Sequence, residues 1–590
     1  MASLLHLLWL FPFTATCTSI PRNDPVAAVP LCKSVPGADG WPSLDTWAAF
    51  NQSIDGRLLQ PTPPGAVCHP DQPSYDASQC SSVQTAWFTE ALHSGDPVSV
   101  MWNNWNNDTC LPDPRLSCSP TGYAVYVVNA TTPQHVKAGV DFARKHHIRL
   151  IVKNSGHDYI GRSSGPNSLS IWVHHMKEMK VHETEFRPSE CDITIPGHAI
   201  TAGAGTQMQE AYRATALLNR TVVGGNGRTV ALGGYITGGG HSILAPHYGM
   251  AADQVLEVEL VTPTGEILTA NECQNSDFFW AMRGGGGSTF GVLTSITLQT
   301  IPSPRVSSVN FRFSTLSSNA FSFDAVAYFL SQLPILEQAG VSGYPIVFKS
   351  AATVTNGVQA FYTGIAGILI MLNTPTKQTI LDHINPIFTH INQTWPGAFE
   401  FYTDIEEFAS FGAWYEKHYD PSPVGYSMVL GSRLLDTQAL SSNITATKLA
   451  FEKFAAGGQA NPYIVSGKGV WTAKPRGGST AVSPAWRRTV VHATASVSFP
   501  AQDLSARTAA TEKTRGFAAA LRELSPNMGA YVNEVGADRY EPDWQQTFWG
   551  ENYARLLQIK RTVDPDDVLW CAPCVGNERW HEVGDQLCRV

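Results

Sequence analysis

The sequence predicts an α+β protein in which an α/β region precedes a domain built on an antiparallel sheet with helices on one face. Strands and helices alternate from Tyr123 to about residue 301, which is typical of an α/β layer. From Pro302 onward, long strands with alternating side chains are separated by helical stretches, which is typical of an antiparallel sheet packed against helices. The chain has 590 residues, too many for one hydrophobic core, so we expect two or three domains.

Composition and charge exclude several classes of partner. The chain is 43% hydrophobic and 15% charged, as expected of a globular protein. Its net charge of −9 argues against nucleic acid, because binding phosphate requires a basic face. After the N-terminus no apolar run reaches the roughly 20 residues of a membrane span. We therefore expect a small-molecule partner and neither nucleic acid nor membrane.

The N-terminus predicts secretion. Residues 1–18 are a short apolar stretch followed by small residues, which favours a signal peptide over a buried first strand or helix. Cleavage after Cys17 would leave ten of the 11 cysteines, an even number that suits disulfide pairing in an oxidising compartment. Six sequons for N-glycosylation agree with export: they begin at Asn51, Asn107, Asn129, Asn219, Asn392 and Asn443.

Residues 19–117 predict an irregular, disulfide-pinned extension, because they are rich in Cys, Pro, Asn and Trp and show no sustained periodicity. The α/β pattern then begins with a strand, AVYVVNA at 124–130. A helix follows with Thr131 or Thr132 as its cap and Pro133 in its first turn. The strand IRLIV at 148–152 comes next.

The loop after this strand, KNSGHDYIGRSSG at 153–165, contains one histidine, His157, among three glycines and three serines. A loop with so little side-chain bulk suits a backbone that wraps around a ligand. His157 is then the reactive side chain that this surface offers.

A second strand and helix follow at 199–218, and residues 222–242 hold eight glycines. This density favours neither helix nor continuous sheet; it favours backbone lying against a flat or charged partner. A hairpin around Pro263 to Gly265, a capped helix at 275–282 and a strand ending near 301 complete the α/β region.

Residues 302–525 predict the antiparallel sheet and its helices. The clearest strands are SVNFRF at 308–313, GYSMVL at 425–430 and VVHATASVSF at 490–499, and the clearest helices cover 325–339 and 508–524. Near residue 526 the pattern changes again. The run 543–563 predicts one amphipathic stretch in which Trp544, Phe548, Leu556 and Ile559 share a side.

Pattern alone suggests two further enzyme classes. Gly161 to Gly165 matches the G-x-S-x-G turn of serine hydrolases around Ser163, but that turn requires a strand directly before it and a helix directly after it, and neither is predicted here. Gly203-Ala-Gly205 follows a strand, yet the third glycine of a dinucleotide motif is replaced by Met208. Both classes are disfavoured.

The sequence predicts no metal site and no redox dithiol. The adjacent histidine pairs at 146–147 and 174–175 are poorly spaced to share an ion. Cys571-Ala-Pro-Cys574 has redox-motif spacing, but it lacks the preceding strand and following helix of a thioredoxin-like site, so a structural role is favoured.

Several segments, in order and in register, resemble the berberine-bridge-enzyme-like branch of the vanillyl-alcohol-oxidase (PCMH-type) flavoproteins, especially fungal secreted FAD-linked oxidases. The resemblance spans roughly Cys118 to Trp580, and the segments that carry it are SGHDYIGRSSG (155–165), GGYITGGGHS (233–242), AADQVLEVELVTPTGE (251–266), DFFWAMRGGGGSTFGVLTSITL (277–298), YVNE (531–534) and PDWQQTFWGENYARLLQIKRTVDP (542–565).

The resemblance implies a domain layout. A PCMH-type FAD-binding domain of two α/β subdomains would cover residues 118–301, and a substrate-binding domain would cover 302–525. The C-terminal berberine-type segment, 526–590, would return to complete the FAD domain.

The resemblance also implies FAD as cofactor and a set of residues around it. The glycine-rich loop would cradle the pyrophosphate through backbone N–H groups, His157 would be bonded to the 8α-methyl group of the flavin, and Asn533 would bond the ring. A neutral imidazole is a competent nucleophile for that carbon. The other implied cofactor contacts are Asn154, Ser155, Gly156, Asp158, Tyr159, Gly161, Ser163, Val230, Gly234, Gly238, Gly239, Gly240 and Val292.

Two departures from the family pattern refine this expectation. Some relatives carry a second flavin bond from a cysteine of a C-P-T-V-G pattern, where this chain has Gly227; a single bond from His157 is therefore implied. Val230 occupies the position beside the flavin at which valine accompanies reaction with oxygen. This favours an oxidase that releases hydrogen peroxide over a dehydrogenase or cyclase of natural-product biosynthesis with poor oxygen reactivity.

The resemblance also bears on the catalytic base. Hydride transfer from an alcohol or secondary metabolite to flavin N5 usually needs a base for the substrate proton. Relatives with a tyrosine after the Y-x-N segment use its phenol, whereas this chain has Glu534. Half-burial would raise the pKa of Glu534 to a value useful for a base, or Glu534 would instead form a supporting salt bridge. Tyr531 is the alternative base.

Overall fold

The computed structural model describes residues 32–355, 358–535 and 541–590. The signal peptide expected at residues 1–18 lies outside these ranges. Within them, no helix combines the length and the apolar character that crossing a bilayer requires. The ten cysteines of the described residues form five disulfides.

The N-terminal segment is more regular than its sequence predicts. Disulfides Cys68–Cys80 and Cys110–Cys118 pin it, and Ser43 and Asp76 cap two of its helices. Its elements are helices α1 (Leu44–Ser53), α2 (Ala77–Ala86) and α3 (Glu90–Gly95), strand β1 (Leu58–Leu59) and 3₁₀ turns at Pro64–Cys68, Asn103–Asn106 and Pro120–Gly122.

The first sheet follows the predicted β-α-β order. Thr132 caps the helix, which begins at Pro133 as expected. The sheet has the order β1-β2-β4-β3, and its last three strands are parallel. The elements are β2 (Tyr126–Asn129), α4 (Pro133–Lys145), β3 (Arg149–Lys153) and β4 (Ser168–Trp172).

A second, antiparallel sheet has the order β11-β10-β12-β8-β5. The predicted hairpin joins β10 to β11. The elements of this region are β5 (Met179–His182), β6 (Glu185–Phe186), β7 (Ile195–Pro196), β8 (Ala199–Gly203), α5 (Met208–Ala216), β9 (Arg220–Thr221), α6 (Leu232–Thr237), α7 (Ala245–Tyr248), β10 (Val255–Val261), β11 (Ile267–Asn271), α8 (Ser276–Ala281), β12 (Val292–Gln299) and β13 (Ile301–Pro302).

Two expectations for this region are wrong. The glycine-dense stretch contains helix α6, because Leu232 and Ile236 are buried in the core and this burial outweighs the helix-breaking tendency of the neighbouring glycines. Helix α8 begins after Asn275, but the Asn275 side chain does not cap it; its Nδ2 instead donates to the Thr269 carbonyl.

The third sheet has seven strands, all antiparallel, in the order β17-β14-β16-β15-β19-β20-β18. Helices α9, α13 and α15 pack with one face of it in a single hydrophobic cluster. The elements are β14 (Val306–Leu316), α9 (Ser322–Gln338), β15 (Val341–Thr355), β16 (Val358–Leu372), α10 (Thr379–Thr394), β17 (Glu400–Phe408), α11 (Phe411–His418), β18 (Met428–Asp436), α12 (Thr437–Ser441), α13 (Ile444–Phe454), β19 (Gln459–Tyr463), α14 (Lys468–Trp471), β20 (Thr489–Ser498) and α15 (Leu504–Leu524).

Successive side chains along β20 lie on opposite faces of this sheet. Val491 and Ala493 belong to the cluster under the helices, so His492 between them lies on the opposite face. There it contacts the C-terminal segment through Glu534 and Tyr531.

The C-terminal segment returns to the first sheet. Leu569 pairs with Leu150 of β3 and is buried in the same cluster. The prediction of a single amphipathic run at 543–563 is wrong. This stretch forms two helices, because Gly550 adopts φ 55° between them. The elements are α16 (Trp544–Trp549), α17 (Asn552–Val563), β21 (Trp580–Val583) and β22 (Gln586–Arg589).

Candidate cofactor and active site

The glycine-rich loop begins where β3 ends, and Lys153 anchors its start. The Lys153 ammonium is buried and donates to the carbonyl oxygens of His93 (3.2 Å) and Asp96 (2.8 Å). Burial lowers the pKa of Lys153 to about 7. The N-terminal segment therefore packs directly against the base of this loop.

A second link joins the loop to the C-terminal segment. Arg162 donates to the Asp158 carboxylate from its backbone N–H (2.5 Å) and from Nε (2.9 Å), and its Nη2 donates to Asn533 Oδ1 at 2.9 Å. The two charged side chains are 8% and 13% exposed. A partly desolvated ion pair of this kind holds the loop in one conformation.

His157 lies between this loop and the glycine-dense stretch. Its Nε2 is 2.7 Å from Thr229 Oγ1, and the Thr229 hydroxyl donates to Glu90 Oε2 at 2.8 Å. Burial lowers the pKa of His157 to about 4. The imidazole is therefore neutral at physiological pH, as a nucleophile must be.

Tyr531 and Asn533 join the C-terminal segment to helix α6 and the residues after it. The Tyr531 hydroxyl accepts hydrogen bonds from Gly240 N (3.2 Å) and Asn533 Nδ2 (2.9 Å). Asn533 Nδ2 also donates to the Gly234 carbonyl at 3.3 Å. Burial raises the pKa of Tyr531 above its usual range, so this phenol stays protonated.

Glu534 is held between two histidines, and we call His241, Glu534 and His492 the His–Glu–His cluster. His241 Nε2 lies 2.8 Å from Oε1 and His492 Nε2 lies 2.9 Å from Oε2. Burial alone would raise the pKa of Glu534, but the charge of His241 and both hydrogen bonds outweigh it and hold that pKa below its usual range. The expectation of a raised pKa is therefore wrong.

Two groups of side chains among the described residues have ligand atoms close enough to hold a metal ion. In the first, His69 is grouped with Cys110 and Cys118, which are bonded to each other and offer no thiolate. The second is the His–Glu–His cluster, whose ligand atoms lie within 4.8 Å of one another. Both of its carboxylate oxygens already meet an imidazole nitrogen, so the carboxylate has hydrogen-bond partners without a metal ion.

The structure brings most of the predicted cofactor residues to one region. Asn154 donates to Ala204 O at 2.6 Å, Tyr159 stacks on Trp102 with ring centroids 4.9 Å apart, and Val230 packs against the main core. The loop and the α6 region are joined through His157–Thr229 and through Asn533, which contacts both Arg162 and Gly234. The other predicted residues of these two segments are Ser155, Gly156, Gly161 and Ser163 in the loop and Gly238, Gly239 and Gly240 after α6.

Val292 and Ser163 differ from the rest of the set. Val292 begins β12 and is buried in the hydrophobic cluster that also contains Leu150 and Val261. Ser163 has no helix after it, since the next element is β4. The strand–turn–helix of a hydrolase is therefore missing around this serine.

The polar groups of this region fit a large polar cofactor such as FAD. Asn154 Oδ1, Arg162 Nη1 and the Nδ1 atoms of His241 and His492 are buried and have no hydrogen-bond partner in the described part of the chain; buried polar atoms normally have one. Beside Gly234 a Cβ atom would meet nothing within 4 Å. Space and unpaired polar atoms thus occur together on the segments that surround His157.

Sequence reasoning missed five residues of this site: Glu90, Arg162, Thr229, His241 and His492. His241 and Thr229 lie inside the glycine-dense stretch, and a closer reading of its polar side chains would have found them. His492 is the one ionisable residue in strand β20, which is a usable signal. Glu90 gives no local signal, because it reaches the site only through the fold.

Comparisons with known proteins identify the family to which the chain belongs. The chain matches the model of an FAD binding domain at residues 124–271 and the model described as "berberine and berberine like" at residues 530–575. An uncharacterized FAD-linked oxidoreductase of Arthroderma benhamiae is 35% identical over 100% of both chains. The VAO-type flavoprotein oxidase VAO615 of Thermothelomyces thermophilus is 31% identical, also over 100% of both.

A solved structure extends the likeness to the fold. The crystal structure of the VAO-type flavoprotein MtVAO713 from Myceliophthora thermophila C1 superposes with a TM-score of 0.86 at 28% identity, over 95% of this chain and 100% of that one. The two family models cover the two segments that meet at the Arg162–Asn533 contact. The chain is an FAD-dependent oxidoreductase and belongs to the berberine-bridge-enzyme-like branch of the VAO-type flavoproteins.

Proposed function

We propose that the protein is a secreted oxidase that holds FAD through one covalent bond from His157 and oxidises an alcohol or an alcohol-bearing secondary metabolite, with O2 as the final electron acceptor. The observation that supports it best is the environment of His157. This imidazole is desolvated, neutral and held at Nε2 by Thr229, which leaves Nδ1 as the nitrogen available to carbon.

When bound, FAD supplies the hydride acceptor, flavin N5. The protein then has to bind the substrate, orient it and take its proton. Glu534 is the member of the His–Glu–His cluster with the most open side chain, at 24% exposure against 11% for His241 and 0% for His492. We propose that the substrate hydroxyl donates to the Glu534 carboxylate and that the cluster accepts its proton.

Tyr531 is less suited to this role. Its hydroxyl is buried and already receives two hydrogen bonds, and its raised pKa keeps the phenol protonated. A base must be deprotonated before it reacts. We therefore propose the ionised Glu534 with its histidines, rather than the phenol, as the group that takes the proton.

Two aromatic side chains on the seven-stranded sheet suggest where the substrate lies. Tyr344 and Tyr463 pack edge to face at 5.2 Å, and the charge of Glu534 reaches both hydroxyls and raises their pKa values further above the level that burial sets. We propose that the substrate enters between this sheet and the FAD domain and packs its apolar part on these rings. An alcohol with a hydrophobic or ring-bearing body fits such a site.

An oxidase is favoured over a dehydrogenase or cyclase by two observations. Val230 occupies the position at which the family pattern associates valine with oxygen reactivity, and a full-length relative is named a flavoprotein oxidase. Gly227 stands where some relatives carry the cysteine of a second flavin bond. The proposed enzyme therefore holds FAD through a single bond and returns electrons to O2 as hydrogen peroxide.

The test combines colour, attachment and turnover. Purified protein should absorb near about 370 and 450 nm, as isoalloxazine does, and acid precipitation should leave the yellow colour in the pellet. His157→Ala should release the colour to the supernatant. Peroxide release across a panel of primary, secondary and benzylic alcohols then identifies the substrate class. A colourless protein, or a reduced flavin that air does not reoxidise, contradicts the proposal.

Secretion is a separate part of the proposal, and it rests on residues 1–18, the disulfides and the sequons. Asn107, Asn219, Asn392 and Asn443 are exposed, whereas Asn51 and Asn129 are partly buried. We expect mature protein from culture medium to begin after residue 17 or 18 and to lose mass on endoglycosidase treatment, with glycans first at the four exposed asparagines. Protein retained in cells with an intact N-terminus would contradict this part.

A further inference from the structure

Glu90 and Thr229 form a short hydrogen-bonded chain that ends on His157. Thr229 Oγ1 lies 2.7 Å from His157 Nε2 and 2.8 Å from Glu90 Oε2. Thr229 is 7% exposed, and burial raises the pKa of Glu90. These residues come from three parts of the chain: the N-terminal segment, the glycine-rich loop and the glycine-dense stretch.

The direction of these hydrogen bonds follows from donor counting. An ionised carboxylate only accepts, so the single hydroxyl hydrogen of Thr229 goes to Glu90. Thr229 Oγ1 must then accept from His157, which places the imidazole hydrogen on Nε2. The lone pair therefore lies on Nδ1, and one tautomer of His157 is selected.

We propose that Glu90 and Thr229 are the relay that activates His157 for covalent attachment of FAD: Thr229 fixes the reactive tautomer, and Glu90 receives the proton that the imidazole must lose. This inference rests on the proposed function, because it assigns residues to the formation of the His157 bond. Neither residue needs to touch the flavin, so both are positioning residues for this step.

The step balances in atoms and electrons. A bond forms between His157 Nδ1 and the 8α carbon, and one C–H bond of that carbon breaks. Nδ1 would gain positive charge, so Nε2 passes its proton to Thr229 while the Thr229 hydroxyl passes its own to Glu90. The proton of that C–H bond is the second proton released. The two electrons of the bond would pass to the cofactor and from it to O2, which takes up two electrons and two protons to give hydrogen peroxide.

Other charged groups near His157 do not offer this path. Asp420 raises and Lys153 lowers the pKa of His157 through charge alone, and the principal cause of its shift is burial. Lys153 donates to two backbone carbonyls. Within the described residues, the His157 ring makes its side-chain hydrogen bond to Thr229, which in turn donates to Glu90, so the path from Nε2 to a carboxylate runs through that hydroxyl.

The experiment measures attachment rather than turnover. We would purify the wild type and the variants Glu90→Gln, Thr229→Val and Thr229→Ser. After denaturation, the fluorescence of flavin that stays on the polypeptide is divided by that of all flavin in the sample, both attached and released, to give the attached fraction. Thr229→Val replaces a hydroxyl by a methyl group at nearly constant volume, and Thr229→Ser keeps the hydroxyl. The exposed Glu183 supplies a matched control, Glu183→Gln.

We expect Glu90→Gln and Thr229→Val to bind FAD but to attach it about 10²-fold more slowly, as expected on loss of a general base. Thr229→Ser and Glu183→Gln should match wild type. Thermal unfolding with bound FAD checks that each variant is folded. Attachment at the wild-type rate in both Glu90→Gln and Thr229→Val would overturn the relay. Wild-type protein without attached flavin would instead contradict the proposed function, which separates the two failures.

Discussion

At the scale of single residues, the pKa values in the site depend on the balance between burial and hydrogen bonding. Burial dominates at His157 and lowers its pKa to about 4. At Glu534 the two histidines dominate, and the carboxylate stays ionised although it is largely desolvated. One group is thus kept neutral, as the proposed attachment of FAD requires, while the other is kept charged as a hydrogen-bond acceptor.

Replacing Glu534 tests its role against that of Tyr531. Glu534→Gln should lower kcat by about 10²-fold or more, because the amide cannot take a proton, while the FAD content stays unchanged. Tyr531→Phe should lower kcat less, but it should lower the free energy of unfolding by about 1–3 kcal/mol, because Gly240 N and Asn533 Nδ2 lose their shared acceptor. Steady-state kinetics and thermal unfolding distinguish the two, and the reverse ranking in kcat would assign the base to Tyr531.

Buried histidines also predict how stability depends on pH. Burial lowers the pKa of His174 to about 3, whereas an unfolded histidine has a pKa of about 6.5. Between pH 6.5 and 5 the unfolded state binds a proton that folded His174 does not, so the free energy of unfolding falls as the pH falls, by up to about 1.4 kcal/mol per pH unit. His174→Gln should flatten that slope in denaturant titrations, and the exposed His581→Gln should not. Equal slopes in both variants would contradict the assignment.

Sequence reasoning found the residues whose signals are local and missed those that depend on the fold. His157 is visible because it is the histidine of a loop rich in glycine and serine, and Asn533 because its segment matches a family pattern. Thr229 meets Glu90 across 139 residues, and His241 meets Glu534 across 293. No periodicity or spacing in one sequence reports contacts at such separations.

At the scale of elements, helix α6 shows how packing overrides composition. Its sequence contains Gly233 and Gly234 and lies beside Gly238, yet the buried side chains of Leu232 and Ile236 hold it in helical form. The strands and helix α4 were predictable because their alternation, caps and proline positions are local. Helix α6 was not, because its stabilising contacts come from the rest of the core.

Gly238 is required where α6 meets the C-terminal segment. A Cβ at this position would lie 2.1 Å from Asn533 Nδ2, so Gly238→Ala must displace the side chain that contacts Gly234, Tyr531 and Arg162. We expect a loss of about 1–3 kcal/mol in the free energy of unfolding, as for other overpacked sites, and a lower FAD content.

A matched control lies in helix α15. A Cβ at Gly516 would meet nothing within 4 Å, so Gly516→Ala should stabilise the protein by about 0.5–1 kcal/mol. The double variant Gly238→Ala, Asn533→Ala restores space and should be less destabilised than the sum of its single changes. Strict additivity in chemical unfolding would show that the two residues do not meet.

At the scale of the whole molecule, the two ends of the described chain are joined. Cys32 is bonded to Cys588 across 556 residues, and Lys33 N donates to the Leu587 carbonyl beside it. The even number of cysteines predicted that pairing occurs but not which residues pair, since connectivity is set by the fold. This bond keeps the N-terminal segment, which supplies Glu90, next to the C-terminal segment, which supplies Glu534.

Disulfides that close long loops and disulfides that close short loops should therefore differ in how much they stabilise the protein. In the chain-entropy description, stabilisation grows with the loop that a bond closes: about 3 kcal/mol for a short loop such as that of Cys68–Cys80, whose sequence separation is 12, and at least about 4.7 kcal/mol for a loop such as that of Cys32–Cys588, whose separation is 556. Two double variants compare these bonds directly: Cys32→Ser with Cys588→Ser, and Cys68→Ser with Cys80→Ser.

We expect the first double variant to lower the denaturant midpoint more than the second and also to reduce FAD attachment, because the segment carrying Glu90 is no longer tied to the C-terminus. A smaller loss in the first pair would show that the chain ends separate before the core unfolds, and that contacts such as that of Lys153 with the carbonyls of His93 and Asp96 hold the N-terminal segment in place without the bond.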